Sequence, residues 1–257
     1  MNIHKTALVH PDAVIGEDVE IGPYTIIGGE VKIGKNTRIG AHVVIEGISE
    51  IGENCQIFTG AIIGNFPQDL KYKGEKTKVV IGNNNVIREY VTINRGTVAV
   101  GETRIGDNCL LMAYVHIAHD CSVGNGVILA NVATLAGHVV IEDKAVIGGV
   151  TPIHQFVRVG TMAIVGGASR VAKDVPPYCM AAGMPIRTFG LNVVGLQRNG
   201  VSSEIREQLK KAYKTVFRSS LNVSDAIAAL ERESNTCEEV AYFINFIKQS
   251  ERGICKE

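Results

Sequence analysis

Between residues 3 and 171 almost every sixth residue is aliphatic. From Ile3 the series runs through Val9, Ile15, Ile21 and Ile27 to Ile63, resumes at Ile81, Ile87 and Ile93, and continues from Ile105 to Val171. Of the 29 positions reached by steps of six between residues 3 and 171, only Asp69, Glu75 and Ala99 are not Ile, Leu or Val. The next residue is often Gly, as at Gly16, Gly34, Gly106 and Gly148, and two residues before the aliphatic position sits a small or β-branched side chain, as at Ala13, Thr25, Thr37 and Ala133. A period of six fits neither the 3.6 of an α-helix nor the 2 of a flat strand. It fits short extended segments joined by sharp corners, with one aliphatic turned inward per segment and Gly where the chain bends.

Such hexads resemble the left-handed parallel β-helix, in which three of them make one triangular coil and residues 18 apart stack at the ~4.8 Å strand spacing. Residues 1–187 would then wind roughly nine or ten coils into a prism about 45 Å tall. The expected class is mainly β with an α appendage. Cys55, Cys109 and Cys121 fall in the small-residue column, so they read as apolar fillers of a narrow core rather than redox or metal groups. Two breaks in the register mark loops. A long one at about 65–79 (NFPQDLKYKGEKTK with its flanks) is polar and should project from the prism, and a shorter excursion, TVAVGE, spans 97–102.

The hexads stop after PPYCMAAGMP, and residues 188–257 are expected to form an α-helical domain that caps the prism. Ile205, Leu209, Ala212, Tyr213, Val216 and Phe217 make one apolar stripe behind a Ser202 or Ser203 N-cap. Further helices are expected at about 223–233 and 237–250, the latter facing Val240, Phe243, Ile244 and Ile247 inward. Residues 198–218 carry Arg198, Arg206, Lys210, Lys211, Lys214 and Arg218 against Glu204 and Glu207, a basic face that could dock an acidic partner or be simply solvated.

Charge excludes some functions. Lys+Arg and Asp+Glu balance at 26 each, so no global field draws the chain to nucleic acid or an anionic membrane. The start lacks the cationic and apolar regions of a signal peptide, and no apolar run approaches a spanning helix. Six cysteines without a CxxC pair read as reduced thiols of a cytoplasmic protein.

Coil spacing groups the histidines. Of the seven, His116 and His119 share a coil. One coil step on from His119 comes Gly137, which places His138 one coil up and one residue aside; a second step gives Gln155, beside His154. Three steps back from Ala118 and His119 come Gly64 and Asn65, the root of the long loop, expected three coils below. One edge is therefore expected to collect His116, His119, Asp120, His138, His154 and the loop. A carboxylate next to His119 can orient its imidazole and stabilise its charged form.

The runs HIAHDCSVGN, QDLKY, LAGH at 135–138, IHQF at 153–156, INRGT at 93–97 and DVPPY at 174–178 closely resemble the bacterial UDP-N-acetylglucosamine O-acyltransferase family, nearly end to end. The resemblance implies transfer of a long, 3-hydroxylated acyl chain from acyl carrier protein to the sugar 3-hydroxyl, the first step of lipid A synthesis. It implies His119 as catalytic base, Asp120 as its supporting carboxylate and Gly137 as the backbone donor to the oxyanion. Gln68, Asp69 and Lys71 match substrate contacts of the loop, and His116, His138, His154 and Gln155 match the cleft lining. Asn192 and Arg198 match nucleotide and phosphate contacts, and Gly167 matches the position where the acyl tail ends and side-chain bulk acts as a ruler. Family enzymes are homotrimers with clefts between subunits. Two residues depart from the family pattern: Val194 stands where an acidic residue is expected after Asn192, and Asn94 where a His is expected.

The implied transfer is direct and needs no metal or other cofactor. Two alternatives use the same residues differently. One is an acetyl-CoA-dependent acetyltransferase; the other is a zinc lyase of the γ-carbonic-anhydrase kind, with His116, His119 and His138 as ligands. The related N-acyltransferase is disfavoured because the hexads begin at Ile3, which leaves no place ahead of them for a nucleotide-binding domain.

Overall fold

A computed structural model describes residues 2–233 and 236–256. Extended segments of two to five residues stack into three sheets of 11, 8 and 8 strands, parallel throughout except for the last strand of the first sheet. The first sheet begins at Asn2–Ile3, the second at Leu8–Val9 and the third at Val14–Ile15, so the chain visits the three faces in turn and forms a left-handed parallel β-helix. In a typical segment the first residue points to solvent and the second inward, as in Gln56–Ile57. On the second face the inward column reads Ile27, Ile45, Ile63, Ile93, Ile117, Leu135 and Ile153, each paired in register with the next. These side chains are almost completely buried, and each contributes roughly 1.5–3 kcal/mol. This is the physical content of the six-residue period.

The small-residue column does more than fill space. The hydroxyls of Thr25 and Thr37 donate to the carbonyls of Gly40 and Gly52 at 2.7 and 2.9 Å. The thiols of Cys109 and Cys121 make the same contact to Gly124 and Ala136, both at 3.1 Å. A short donor at this position therefore gives a carbonyl at the corner of the next coil a partner. The cysteines act as structural hydrogen-bond donors as well as fillers, and burial pushes the Cys109 thiol up to about 11.

The corners are left-handed turns. After the third face the non-glycine positive-φ residues are Asp18, Asn36, Asn54, Asn84, Asn108, Lys144, Met162 and Tyr178; after the first face they are Tyr24, His42, Tyr90, Tyr114, Val132, Val150 and Ala168; after the second face they are Asp120, His138 and Phe156. Asn and Asp enter this region cheaply, whereas a β-branched residue does so only under constraint.

Both loops leave the second face. An ordinary coil step is that from Ile39 to its partner Ile57; the next partners, Ile87 and then Leu111, are further along the chain than such a step reaches. The two insertions together add one coil's worth of chain, which corrects the coil arithmetic: Gly64 lies two coils below Ala118, not three, though on the same column. The strands end at Asn65 and restart at Lys78, so the free loop is 66–77.

The first sheet continues through Cys179–Ala182 and turns back as Arg187–Leu191, so sheet pairing runs beyond residue 187. Four helices follow: α1 (Val193–Arg198), α2 (Ser203–Phe217), α3 (Val223–Glu231) and α4 (Glu238–Lys248). Ser202 caps α2 through Ile205 N, and Leu209, Ala212, Tyr213, Val216 and Phe217 are buried as the apolar stripe requires. α1 is too short and too exposed for periodicity to announce. Part of the basic face is occupied: Lys211 pairs with Glu233 at 2.8 Å and Lys210 with Glu207 at 3.3 Å. The helices are fastened to the prism by Tyr242, whose hydroxyl donates to Glu142, and by Arg158, whose guanidinium lies 4.5 Å over the Phe246 ring.

Candidate active site

The strand His116–Ile117 ends the second face of its coil, and the chain must turn at 118–121 to reach the third. Asp120 makes that turn at φ +59°, with its backbone N–H held by the Thr103 hydroxyl at 2.9 Å. The turn points its side chain back toward its neighbour: Asp120 Oδ2 lies 2.8 Å from His119 Nδ1. The same oxygen is 3.5 Å from Nε2 of His138, one coil above. His138 stacks on Phe156 at 4.6 Å and meets His119 edge-on at 5.3 Å.

Asp120 is buried and its carboxylate is fully satisfied. Thr97, on the short excursion, donates its N–H to Oδ1 at 2.8 Å and its hydroxyl to Oδ2 at 2.6 Å. Burial opposes the charge, but these bonds, the His119 bond and the nearby His138 outweigh it and hold the carboxyl below its ordinary range. An ionised carboxylate only accepts, so His119 Nδ1 donates to it, and in the neutral imidazole the lone pair is then on Nε2.

Gly137 sits one coil above His119, against the ring. A Cβ there would stand 2.5 Å from His119 Cε1 and 2.7 Å from Nε2. Only glycine leaves room for the imidazole. Among the described residues the Gly137 N–H donates to no protein group, so a free backbone donor and a basic nitrogen border the same space. That pairing can deprotonate a hydroxyl and receive an oxyanion.

The other expected residues are distributed more widely. His116 stands on the second face, where Thr92 Oγ1 meets its Nδ1 at 2.7 Å, and burial lowers its proton affinity. It lies outside the one close group of possible ligands among the described residues, His119, Asp120 and His138. Within one chain His116, His119 and His138 therefore do not converge on one point. His154 and Gln155 are exposed two coils above His119, with His154 Nδ1 at 3.0 Å from its neighbour's carbonyl.

In the long loop Gln68 and Lys71 are exposed, and Asp69 Oδ1 accepts Lys71 N at 2.9 Å, making a tight turn that displays Leu70 to solvent. The loop root is clamped from the coil above. Arg95 donates to Gly64 O at 2.9 Å and covers the Phe66 ring at 4.7 Å, while Asn94 donates to Phe66 O at 2.9 Å. Asn94, one of the two departures from the family pattern, thus holds the loop.

Asn192 is buried and caps α1. Its Oδ1 accepts Gly195 N at 2.9 Å and its Nδ2 donates to Met162 O at 2.8 Å. It therefore sets the helix that ends in exposed Arg198 and displays Val194. Gly167 is exposed on the corner after the first face, not on the His119 corner; a Cβ there would lie 3.2 Å from Gly149 O. Thr97, Thr103, Phe156 and Arg95 were not named as site residues from the sequence. The excursion containing Thr97 was visible as a register break, but its path was not.

Hexads on a triangular prism and a histidine–carboxylate pair on one corner define a hexapeptide-repeat transferase. The family model described as bacterial transferase hexapeptide (six repeats) matches residues 3–47 and 102–137, and that of UDP-N-acetylglucosamine O-acyltransferase, domain 2, matches 174–255. The chain is 56% identical over 255 residues to the acyl-(acyl-carrier-protein)–UDP-N-acetylglucosamine O-acyltransferase of Thermodesulfovibrio yellowstonii, covering 99% of each. It is 51% identical to that of Anaeromyxobacter dehalogenans over all of both chains. Its fold is similar to the UDP-N-acetylglucosamine acyltransferase from Bacteroides fragilis, with TM-score 0.95, 48% identity and 98% of each chain covered. The chain belongs to the acyl-(acyl-carrier-protein)–UDP-N-acetylglucosamine O-acyltransferase family.

Proposed function

We propose that this protein transfers a long, 3-hydroxylated acyl chain from acyl carrier protein to the 3-hydroxyl of UDP-N-acetylglucosamine, the first step of lipid A biosynthesis, with His119 as general base. The observation that carries the reading is Asp120 holding His119 Nδ1 at 2.8 Å while the ring packs on Gly137. His119 Nε2 takes the proton of the sugar hydroxyl as its oxygen attacks the thioester carbonyl. The Gly137 N–H donates to the oxyanion; the adduct then collapses, the C–S bond breaks, and the thiolate takes the proton from His119. The donor brings its own activated acyl group, so no cofactor is needed. Gln68, Asp69 and Lys71 on the loop, with His116, His138, His154 and Gln155, would line the acceptor cleft, and Arg198 would meet the nucleotide phosphates from the helix that Asn192 caps. Both substrates ride on water-soluble carriers, so we assign the reaction to the cytoplasm. No described helix is long and apolar enough to cross a membrane.

The working form in this reading is a homotrimer. The base and the ruler Gly167 lie on different corners of one prism, so an acyl chain that touches both must run between two copies. The Gly167 corner offers exposed Tyr90, Tyr114, Val132 and Val150 below it, an apolar wall suited to a neighbour and to the acyl chain.

One radiolabel assay comparing a long-chain acyl-carrier thioester with acetyl-CoA tests the function. Transfer from the carrier thioester should dominate, and His119→Ala should lower it about 10²–10⁴-fold with folding intact. Preference for acetyl-CoA, or near-normal turnover by His119→Ala, would overturn the reading. For the ruler, Gly167→Met should shift preference from a 14-carbon toward a 10-carbon donor, because each buried CH₂ is worth about 0.8 kcal/mol and a filled groove end forfeits it. An unchanged ratio of kcat/KM for the two donors would remove Gly167 from that role.

A further inference from the structure

We infer that Thr97 is a positioning residue for the reaction: by gripping both oxygens of Asp120 it fixes the plane of the carboxylate that aims His119. The inference rests on His119 being the base. The excursion that carries Thr97 adds one hexad's worth of chain to the coil beneath Asp120 and folds into a closed arch. Gly101 N donates to Thr97 O at 2.7 Å, Lys78 N to Gly101 O at 3.0 Å, and Gly96 N to Lys78 O at 3.2 Å. The arch is thus tied to the strand that ends the long loop, and the Thr97 backbone is held on both sides.

The direction of each bond follows from its partners. Ala99 N donates to Thr97 Oγ1 at 3.2 Å, and the hydroxyl proton is directed to Asp120 Oδ2 at 2.6 Å. Thr97 N donates to the other oxygen at 2.8 Å. Rotation about the last bond of an Asp side chain is soft and two-fold. One donor leaves the carboxylate free to swing, whereas two donors from one anchored residue lock it.

The lock matters because Oδ2 faces two imidazoles, His119 at 2.8 Å and His138 at 3.5 Å. With the plane fixed, His119 has the short bond, and its Nε2 is aimed past Gly137. Around the carboxylate stand Thr103 on its own backbone N–H and the two histidines; the nearest further charge on the flanking strand, Glu102, is paired with Lys78 and Arg104 at 3.3 and 2.7 Å. Among the described residues the short partners of Oδ2 are the Thr97 hydroxyl and His119 itself.

The test uses the full-length protein with acyl-carrier thioester and UDP-N-acetylglucosamine. Thr97→Val keeps the β-branch and the backbone N–H and deletes only the hydroxyl. We expect kcat to fall roughly 10–100-fold with KM for both substrates within about twofold, since a small misplacement of a catalytic group costs up to about 10²-fold. Thr97→Ser should return to within about threefold of the parent. In an Asp120→Ala background the Thr97→Val change should cost less than about twofold more, because the grip then has nothing to hold. Should Thr97→Val not fold, Thr97→Ala is judged by the same criteria. Near-full turnover by the Val variant, a Ser variant as poor as Val, or a full additional penalty without Asp120 would overturn the inference. His119→Ala run alongside separates the failures: if it stays active the base reading falls, and if it is dead while Thr97→Val is active only the role of Thr97 falls.

Discussion

In the coils up to residue 108, the corner between the third and first faces puts Asn36, Asn54, Asn84 and Asn108 in the left-handed position, and the corner after the second face puts Asp120, His138 and Phe156 there. The backbone is the same in both places. At the first corner the polar side chains are consumed by the fold: Asn36 bonds Asn54 at 3.2 Å, and the preceding residues Asn83, Asp107, Asn125 and Asp143 each accept a backbone N–H from the coil below, at 2.6 to 2.8 Å. At the second, Asp120 spends its carboxylate on His119, and bulky rings occupy turns that Asn or Gly would fill more cheaply. A repeated corner fixes a direction in space without fixing what is placed there. Function is marked where the residue is a poor choice for the turn and its polar atoms serve another side chain.

The contrast is sharpened most by Gly137→Ala. Its new methyl would press on His119, so kcat should drop on the order of 10²-fold with little loss of stability, as steady-state kinetics and thermal melting together would reveal. A variant of normal activity would mean that the ring has space the structure does not give it. At the opposite corner the effect should appear in stability alone. Asn54→Ala should cost about 1–2 kcal/mol in denaturant unfolding, and Asn54→Gly much less, with kcat unchanged in both. Loss of turnover there would erase the distinction between the corners.

The smallest effect concerns pH. Because the folded state holds the Asp120 carboxyl below its ordinary range, its stabilisation is complete above the unfolded pKa of about 3.9 and fades as pH falls through the lower folded value. Asp120→Asn should therefore flatten the acid side of a melting-temperature profile below about pH 4. Asp174, raised by burial despite bonds from Arg158 N and the Ser250 hydroxyl, should act in the opposite sense. Its contribution is present at low pH and lost as pH rises through the folded value, so Asp174→Asn should relieve a small penalty near neutrality.

The prism was legible because one inward aliphatic per hexad is required by its narrow core, and the pairing of Ile63 with Ile93 and Ile117 keeps that column intact across both loops. His119 and Asp120 were legible because they are neighbours in sequence. The coil count to the loop root was not, since insertions in steps of six preserve the register while hiding how many coils have passed. Thr97 was invisible for a related reason: its contact depends on the arch's path, which no periodicity encodes. The thiol and hydroxyl bonds of the small-residue column were masked because a donor and a filler have the same size.

The way the two insertions lengthen the spacing between stacked strands bears on how the molecule assembles. A coil that docks on the one before it must close the stretch of chain between two stacked partners. Ordinarily that stretch runs as from Ile39 to Ile57; across the insertions it runs from Ile57 to Ile87 and from Ile87 to Leu111. Chain-closure entropy rises by about 0.6 kcal/mol for each doubling of length. Neither insertion reaches a doubling, so threading the long loop and the Thr97 arch into the spiral slows or weakens zipping by less than that amount. Because each excursion returns the chain to the corner it left, the coils above can add in turn as if nothing had been inserted. Elaboration of the site is thus constrained by phase and hardly at all by folding cost.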